Sequence, residues 1–410
     1  MLIEQQRAKD AYDLGMKHPE LLGDPLFDYF FGVAAVDSGR VSLGVLALER
    51  VLLSNPNDDL ARLELGRAYF ALGEFQRARE EFNEVLSHRP PAGVVSTLNV
   101  YLDAIRRKES QFVVNYGFYA DIGAGYNSNV NAAAMVDTII LPTIGPVTLP
   151  ADSKPKPSPF GFGALGGNVV VPLDTNLHGF FDVSASGQKY SQVDGYNLAG
   201  AVATTGLKYV EGRNDLKFSL SGSVAQLDNV PVPNTAGGAL TYTRQITDTQ
   251  SVLAGASTFK LAYSNGYNAY NSNLNFASLG YRKVFPTTTW QPVIDVMFNL
   301  GQQVNLSDRP DLGRNLVGLN MQLSFMPSEQ IGVSLGAGYV QSKYGGQDML
   351  FESERTDGLV SANATFQYKL TKELSTRAEF TYYSNQSNIN LYGYNQWTGA
   401  LKLRYAYSTN

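Results

Sequence analysis

Leu374-Ser375-Thr376-Arg377-Ala378-Glu379-Phe380-Thr381-Tyr382 and, after a polar break at 385–390, Gln396-Trp397-Thr398-Gly399-Ala400-Leu401-Lys402-Leu403-Arg404-Tyr405-Ala406-Tyr407 decide the fold. In the first segment Leu374, Thr376, Ala378, Phe380 and Tyr382 share one face, with Ser375, Arg377, Glu379 and Thr381 on the other. In the second, Trp397, Gly399, Leu401, Leu403, Tyr405 and Tyr407 oppose Gln396, Thr398, Lys402 and Arg404. A period of two means extended strand, because successive side chains point to opposite sides of a sheet. Both runs exceed the usual strand of about 5–6 residues. About 10 residues of strand with one apolar face, aromatic towards its ends, suit a membrane-spanning barrel better than a soluble sandwich.

Working back from this end, the same alternation holds from Gln111, where Phe112, Val114, Tyr116, Phe118, Ala120 and Ile122 share a face. Strands are expected near 112–125, 159–171, 178–189, 196–210, 214–227, 237–247 and 249–262. A second set is expected near 271–283, 289–302, 313–326, 329–344, 354–369, 373–384 and 391–407. That gives about fourteen antiparallel strands, an even number as in bacterial outer-membrane barrels. Short connections at 172–177, 211–214, 247–248, 285–288, 327–328 and 370–372 alternate with longer ones, the longest being the Pro-rich 126–158. Short periplasmic turns and long outer loops are the rule for such barrels, so both ends of the barrel are expected to face the periplasm. The longest loop reads as a functional segment or as plain solvated chain.

The apolar face, with Leu216, Phe218, Leu220, Ile294, Val296, Phe298, Leu300, Leu319, Met321, Leu323 and Phe325, is expected to meet lipid. The opposite face carries Asp295, Asn299, Asn320, Gln322, Ser324, Arg377, Glu379, Lys402 and Arg404, the candidate lumen-lining set. Polar groups there either keep water in a conduit or satisfy one another in a filled barrel; charges of both signs permit either.

Residues 1–110 are different in character, with helical periodicity and an internal repeat of about 34 residues. One unit shows Leu65-Gly66, Tyr69, Gly73, Ala78, Phe82 and Pro90; one period earlier stand Phe31-Gly32, Ala35, Gly39, Gly44, Leu48 and Pro56. This resembles the tetratricopeptide repeat, in which small residues let paired helices approach and large ones fill the gap. The second unit departs at its first aromatic slot, where Arg62 stands, and the first lacks the Tyr and both Ala. Flanking helices near Leu2–Lys17 and Ala92–Lys108 are expected to cap the pair. Such a solenoid offers a curved surface to a polypeptide partner, or serves as a structural plug. The expected organisation is a small all-α repeat domain at 1–110, then an all-β transmembrane barrel at 111–410.

Composition agrees. Charged residues are 17% of 410, the net charge is −5, and no run approaches the roughly 20 apolar residues of a membrane helix. A net negative chain argues against nucleic acid as partner. Cysteine is absent, which excludes disulfides, a thiol nucleophile and thiolate metal sites. The first residues are charged and lack an apolar signal core, so a secretory signal is expected to have been removed. His18, His88 and His178 are the three histidines; no His-Glu-x-x-His, phosphate loop or nucleophile elbow appears, and no catalytic, metal or cofactor site is expected. A hydrolase at the barrel rim, with a Ser/His pair that includes His178, is a third reading.

At the exit of the first strand stands Asn127-Ser128-Asn129-Val130-Asn131. With the domain order and strand number, this run, and Asn127, Asn129 and Asn131 in it, resembles the start of the barrel in the Slam family, the surface lipoprotein assembly modulators of the type XI secretion system. The resemblance implies a periplasmic repeat domain, an outer-membrane barrel and a non-enzymatic translocation factor for particular lipoproteins or soluble cargo proteins. Periplasmic chaperones, barrel-assembly machinery and outer-membrane lipid are the further partners expected. The competing reading is a porin-like or polysaccharide-export channel with a periplasmic scaffold.

Overall fold

The structure is a computed structural model that describes residues 2, 3, 5, 7–110, 113–228, 230–264 and 266–409. Two compact units result, Met1–Val113 and Val114–Asn410. The sequence boundary expected between 110 and 111 is within three residues of this division. Gln111 and Phe112, the expected start of the first strand, lie outside the described residues.

In the first unit, α1 (Ala8–Gly15), α2 (Pro25–Asp37), α3 (Val41–Ser54), α4 (Asp59–Leu72), α5 (Phe75–Ser87) and α6 (Ala92–Ser110) follow in order. The expected helix over Leu2–Lys17 is shorter, confined to α1, which has no side-chain cap at its start. By contrast α2 starts on Asp24, whose side chain accepts from the Phe27 N–H with Pro25 at the first position, and α4 starts on Asp58, which accepts from Leu60 and Ala61. Such caps satisfy orphan donors and are worth about 1 kcal/mol each. Gly73 ends α4 at φ +79°, where a side chain would be strained. The helices bury Leu48, Leu65, Ala68, Ala78, Phe82, Val85, Leu98 and Ile105 in one core. The repeat signature explains itself here: a Cβ on Gly66 would sit 2.5 Å from the Phe82 ring. Gly44, in the slot that holds Ala78 in the next unit, lies so close that a Cβ would meet Val36 at 2.5 Å. In the first unit, glycine at this slot permits a closer helix contact.

The second unit is a closed barrel of fourteen antiparallel strands. In chain order they are β1 (Asn115–Asn127), β4 (Ser158–Pro172), β5 (Leu177–Tyr190), β6 (Leu198–Glu211), β7 (Asn214–Leu227), β8 (Asn234–Thr247) and β9 (Gln250–Ala262). There follow β10 (Ser272–Val284), β11 (Val293–Asn305), β12 (Arg314–Phe325), β13 (Ile331–Gln347), β14 (Glu354–Lys369), β15 (Leu374–Ser387) and β16 (Tyr394–Ser408). Strand β1 closes the circle by pairing with both β4 and β16. The expected strands are present with small boundary shifts. The largest is at β11, expected from 289: residues 285–292 form a longer turn, in which Gln291 takes φ +44°.

The loop after β1 differs more. It holds a separate hairpin, β2 (Thr138–Leu141) with β3 (Gly145–Thr148), and buries Ala134, Ile139 and Leu149 against Phe351 and Leu391 from other loops. It is therefore neither structureless nor merely solvated.

Alternation along each strand places Leu216, Phe218, Leu220, Phe298, Leu300, Leu319 and Met321 outward and exposed, so the outer wall is an apolar band. Tyr209, Tyr242, Tyr281, Tyr368 and Tyr405 crowd its short-turn end, and Tyr126 and Trp397 its long-loop end. Fully paired edges, an apolar outer wall and aromatic girdles are what lipid demands of a spanning sheet. No described helix is long and apolar enough to cross a membrane, which says nothing of the strands.

Candidate functional site

The lumen is built from the inward residues of the strands, and cross-strand register shows which of them meet. Asp295 stands opposite Arg282, accepting from it at 2.6 and 3.2 Å near the short-turn end. Asn320 faces inward opposite Met297 and Gly338; a Cβ on Gly338 would lie 2.5 Å from its Oδ1, so glycine makes room for the amide. Gln322 donates to the Ser334 hydroxyl at 2.5 Å. Lys402 donates to Glu379 at 2.7 Å across β15–β16, and Arg377 donates to Gln367 at 3.1 Å. The Arg377 Nε is buried without a partner. Arg404 grips Asp121 with two bonds of 2.6 Å and lies over the Tyr119 ring at 4.3 Å. The lumen set thus divides. Asn320, Gln322 and Asp295 belong to the wall at large, while Arg377, Glu379, Lys402 and Arg404 form one charged cluster on β15, β16 and β1. Asp121, the acid that completes the cluster, stands on β1, a strand with no other charged residue.

The asparagine run lies directly above this cluster. Asn127 is buried, donates to the Tyr190 hydroxyl at 3.1 Å, and accepts from the Asn129 backbone N–H at 2.9 Å. Asn129, only 1% exposed, donates to the carbonyls of Ala133 and Asn395 at 3.0 Å and accepts from the Ala133 N–H at 3.0 Å. Asn131 exchanges a 3.0 Å pair of bonds with the backbone of Lys154 and Lys156. Gln396 reaches across from β16 to the Asn129 carbonyl at 2.7 Å. An asparagine amide carries a donor and an acceptor and so imitates a peptide group, which is what a loop leaving a strand lacks. The left-handed residue of the turn is Ala132, at φ +46°, not an asparagine. The asparagines act through their side chains, clasping the long loop to the first and last strands.

A second knot ties the neighbouring loops. Arg355 pairs with the buried Asp357 at 2.6 and 3.0 Å and lies 3.5 Å over the Tyr392 ring. Tyr392 donates to Asp348 at 2.7 Å; burial, then this bond, push its phenol up to about 12.

In the helical unit, one surface runs across α2, α4 and α6. Arg67 joins Asp37 at 3.0 Å and Glu64 at 2.5 Å, and Phe70 meets Tyr101 edge-on at 5.3 Å. Burial holds the Glu64 carboxyl above the usual carboxylate range, against the pull of Arg67. Leu26 and Leu60 stay exposed on the same helices. Of the signature residues, Tyr69 donates to Glu49 at 2.7 Å, Gly66, Ala78 and Phe82 form the helix contact already described, and Pro90 follows α5. Arg62, in the slot for an aromatic, pairs with Glu81 at 2.8 Å and donates to the Pro56 carbonyl. Away from this surface, the buried Asp28 accepts two bonds from Arg50, at 2.6 and 2.9 Å.

His18 lies 2.9 Å from Glu20, and His88 lies 2.7 Å from Asp59 at the end of α5. Among the described residues the buried His178 Nδ1 has no hydrogen-bond partner. Among the described residues no group of acidic, histidine or cysteine side chains could hold a metal ion.

The tetratricopeptide repeat family matches residues 31–93. A surface lipoprotein assembly modifier of Pasteurella multocida strain Pm70 is 27% identical over 111 residues, a match that spans 27% of this chain and 21% of that protein. OmpT of Vibrio cholerae overlaps at a TM-score of 0.40 and 9% identity, covering 72% of this chain and 98% of that one. The translocator domain of the autotransporter NalP from Neisseria meningitidis overlaps at 0.31 and 9% identity, covering 76% and 97%. Both structural likenesses are distant. Tetratricopeptide repeats joined to a closed fourteen-stranded barrel, together with the match to the Pasteurella protein, fit the surface lipoprotein assembly modifier (Slam) family.

Proposed function

We propose that this protein is a non-enzymatic translocation factor of the outer membrane, one that helps particular lipoprotein or soluble protein cargo reach the cell surface. The observation that carries the reading is the union of a helical repeat unit with a barrel whose lumen carries charges of both signs, among them the pairs Arg282 with Asp295, Lys402 with Glu379 and Arg404 with Asp121. A polypeptide brings both signs and many neutral amides past the wall. A lumen of paired ions and hydroxyls holds none of these strongly, whereas a ring of one sign would select ions. The family likeness adds cargo of the lipoprotein class.

On this reading the short turns and the repeat unit lie in the periplasm and the long loops lie outside. The surface across α2, α4 and α6 receives cargo, or the periplasmic chaperone that brings it, and the barrel-assembly machinery inserts the strands. The direct test compares surface and secreted proteins in cells with and without the chain. Selective loss of one or a few proteins is expected; an unchanged surface with altered passage of small solutes or glycans would favour a channel.

A further inference from the structure

The junctions around the barrel wall are unequally fastened. Where β1 meets β16, ties occur along the whole height. Tyr116 and Thr409 exchange bonds of 3.0 and 3.1 Å at the short-turn end. Arg404 and Asp121 are joined within the wall, and Ser128, Asn127 and Asn129 bond to Trp397, Gln396 and Asn395 above. Outside, Phe118 packs on Tyr405 at 6.0 Å and Tyr126 on Trp397 at 5.3 Å. Gly117, Gly123, Gly125 and Gly399 stand in this junction, but the Tyr116–Thr409 bonds, the ion pair and the asparagine clasp bracket them.

The junction of β7 with β8 is tied at the short-turn end, where the Tyr242 hydroxyl donates to Asn214 at 2.7 Å, but is weakly fastened towards the long loops. Its ladder ends at Ser223 and Thr235, although β7 runs on to Leu227 beside β6. Three successive rungs, Leu220 with Gly238, Ser221 with Gly237 and Gly222 with Ala236, each contain a glycine, which weakens a strand interior. Above them the joints are a 2.7 Å hydroxyl pair, Ser223 with Thr235, and a 3.2 Å bond from the Ala225 N–H to the Asn234 side chain. Among the described residues no ion pair joins the two strands. A cavity of about 400 Å³, lined by Ala225, Leu227, Asp228, Pro231, Ser264 and Tyr267, opens where the ladder stops.

We propose that β7 and β8 form the line along which the barrel wall parts, while the junction of β1 with β16 stays shut. The parting begins at the long-loop end, where the ladder is already short. Resting on the reading given under Proposed function, this line gives the acyl chains of a lipid-anchored polypeptide a sideways path from the lumen into the outer leaflet. Its polypeptide meanwhile stays among the hydroxyls of Ser219, Ser221 and Ser223.

Hydrogen–deuterium exchange on the full chain in lipid nanodiscs tests the unequal fastening without any cargo. Amides at 220–227 and 234–238 are expected to exchange at least about tenfold faster than those at 117–127 and 398–408, because exchange reports local opening. Equal rates, or the reverse order, overturn the proposal. The chain has no cysteine, so engineered links are clean. Gly222→Cys with Ala236→Cys links β7 to β8, and Ala124→Cys with Leu401→Cys links β1 to β16, each pair directly opposed in the ladder. Oxidation of the first pair is expected to abolish delivery of anchored cargo and reductant to restore it, with the second pair without effect. Delivery that survives the first link, or fails with the second, contradicts the proposal. If no cargo depends on the protein at all, the functional reading falls and the exchange comparison still decides the parting line.

Discussion

Asn129, 1% exposed, makes three side-chain bonds to the backbone of Ala133 and Asn395, so its amide is part of the loop's framework. Asn129→Ala leaves buried groups unsatisfied at about 1–3 kcal/mol each. The loop at 128–157 is then expected to become protease-sensitive while the barrel stays folded; cleavage at the wild-type rate would contradict this. Gly66→Ala drives a Cβ into Phe82 and is expected to cost about 1–3 kcal/mol, seen as earlier loss of helical far-UV signal in the full chain. Gly66→Ala combined with Phe82→Leu should recover part of that loss, as expected when one contact couples the two sites. Glu64 supplies a pH test. Its folded-state pKa is raised by burial, so the stability it contributes is present at low pH and lost as pH rises through the raised value. The stability of the wild type relative to Glu64→Gln is therefore expected to rise as pH falls from neutral through the carboxylate range. A pH-independent difference between the two melting curves would refute that cause.

Among the elements, strands were the most readable in sequence. Lipid outside and water inside impose a strict alternation, as at Leu216, Phe218 and Leu220 against Lys217, Ser219 and Ser221. The hairpin β2–β3 was not readable, because its strands have four residues each, Pro146 interrupts one, and its apolar side is completed by Phe351 and Leu391 from remote loops. The asparagine run was visible as a pattern, but its partners Tyr190, Asn395 and Gln396 are distant in sequence, so its work as a clasp was not. The charged cluster was visible in part, since β15 and β16 alternate openly while Asp121 on β1 meets them only through closure. Arg404→Met would leave Asp121, with 8% of its side chain exposed, as an unpaired charge at about 3–5 kcal/mol. The double variant Asp121→Asn with Arg404→Met should cost less than the single one. The temperature at which the folded barrel loses its compact mobility in detergent gels measures both; a double variant weaker than the single would contradict the pairing.

At the scale of the whole molecule, a repeat unit with an ion-paired, partly apolar surface is joined in one chain to a barrel closed at every edge. On the function proposed above, the repeats choose the cargo and the barrel conducts it. That division is tested most directly by comparing surface and secreted proteins in cells that carry the full chain, the chain lacking 1–110, or neither. The expected result is selective loss of the same one or few proteins in the last two cells, with the shortened barrel still present in the outer membrane. Surface delivery unchanged by removal of the whole chain would contradict the central claim, and full delivery by the barrel alone would contradict the role given to the repeats.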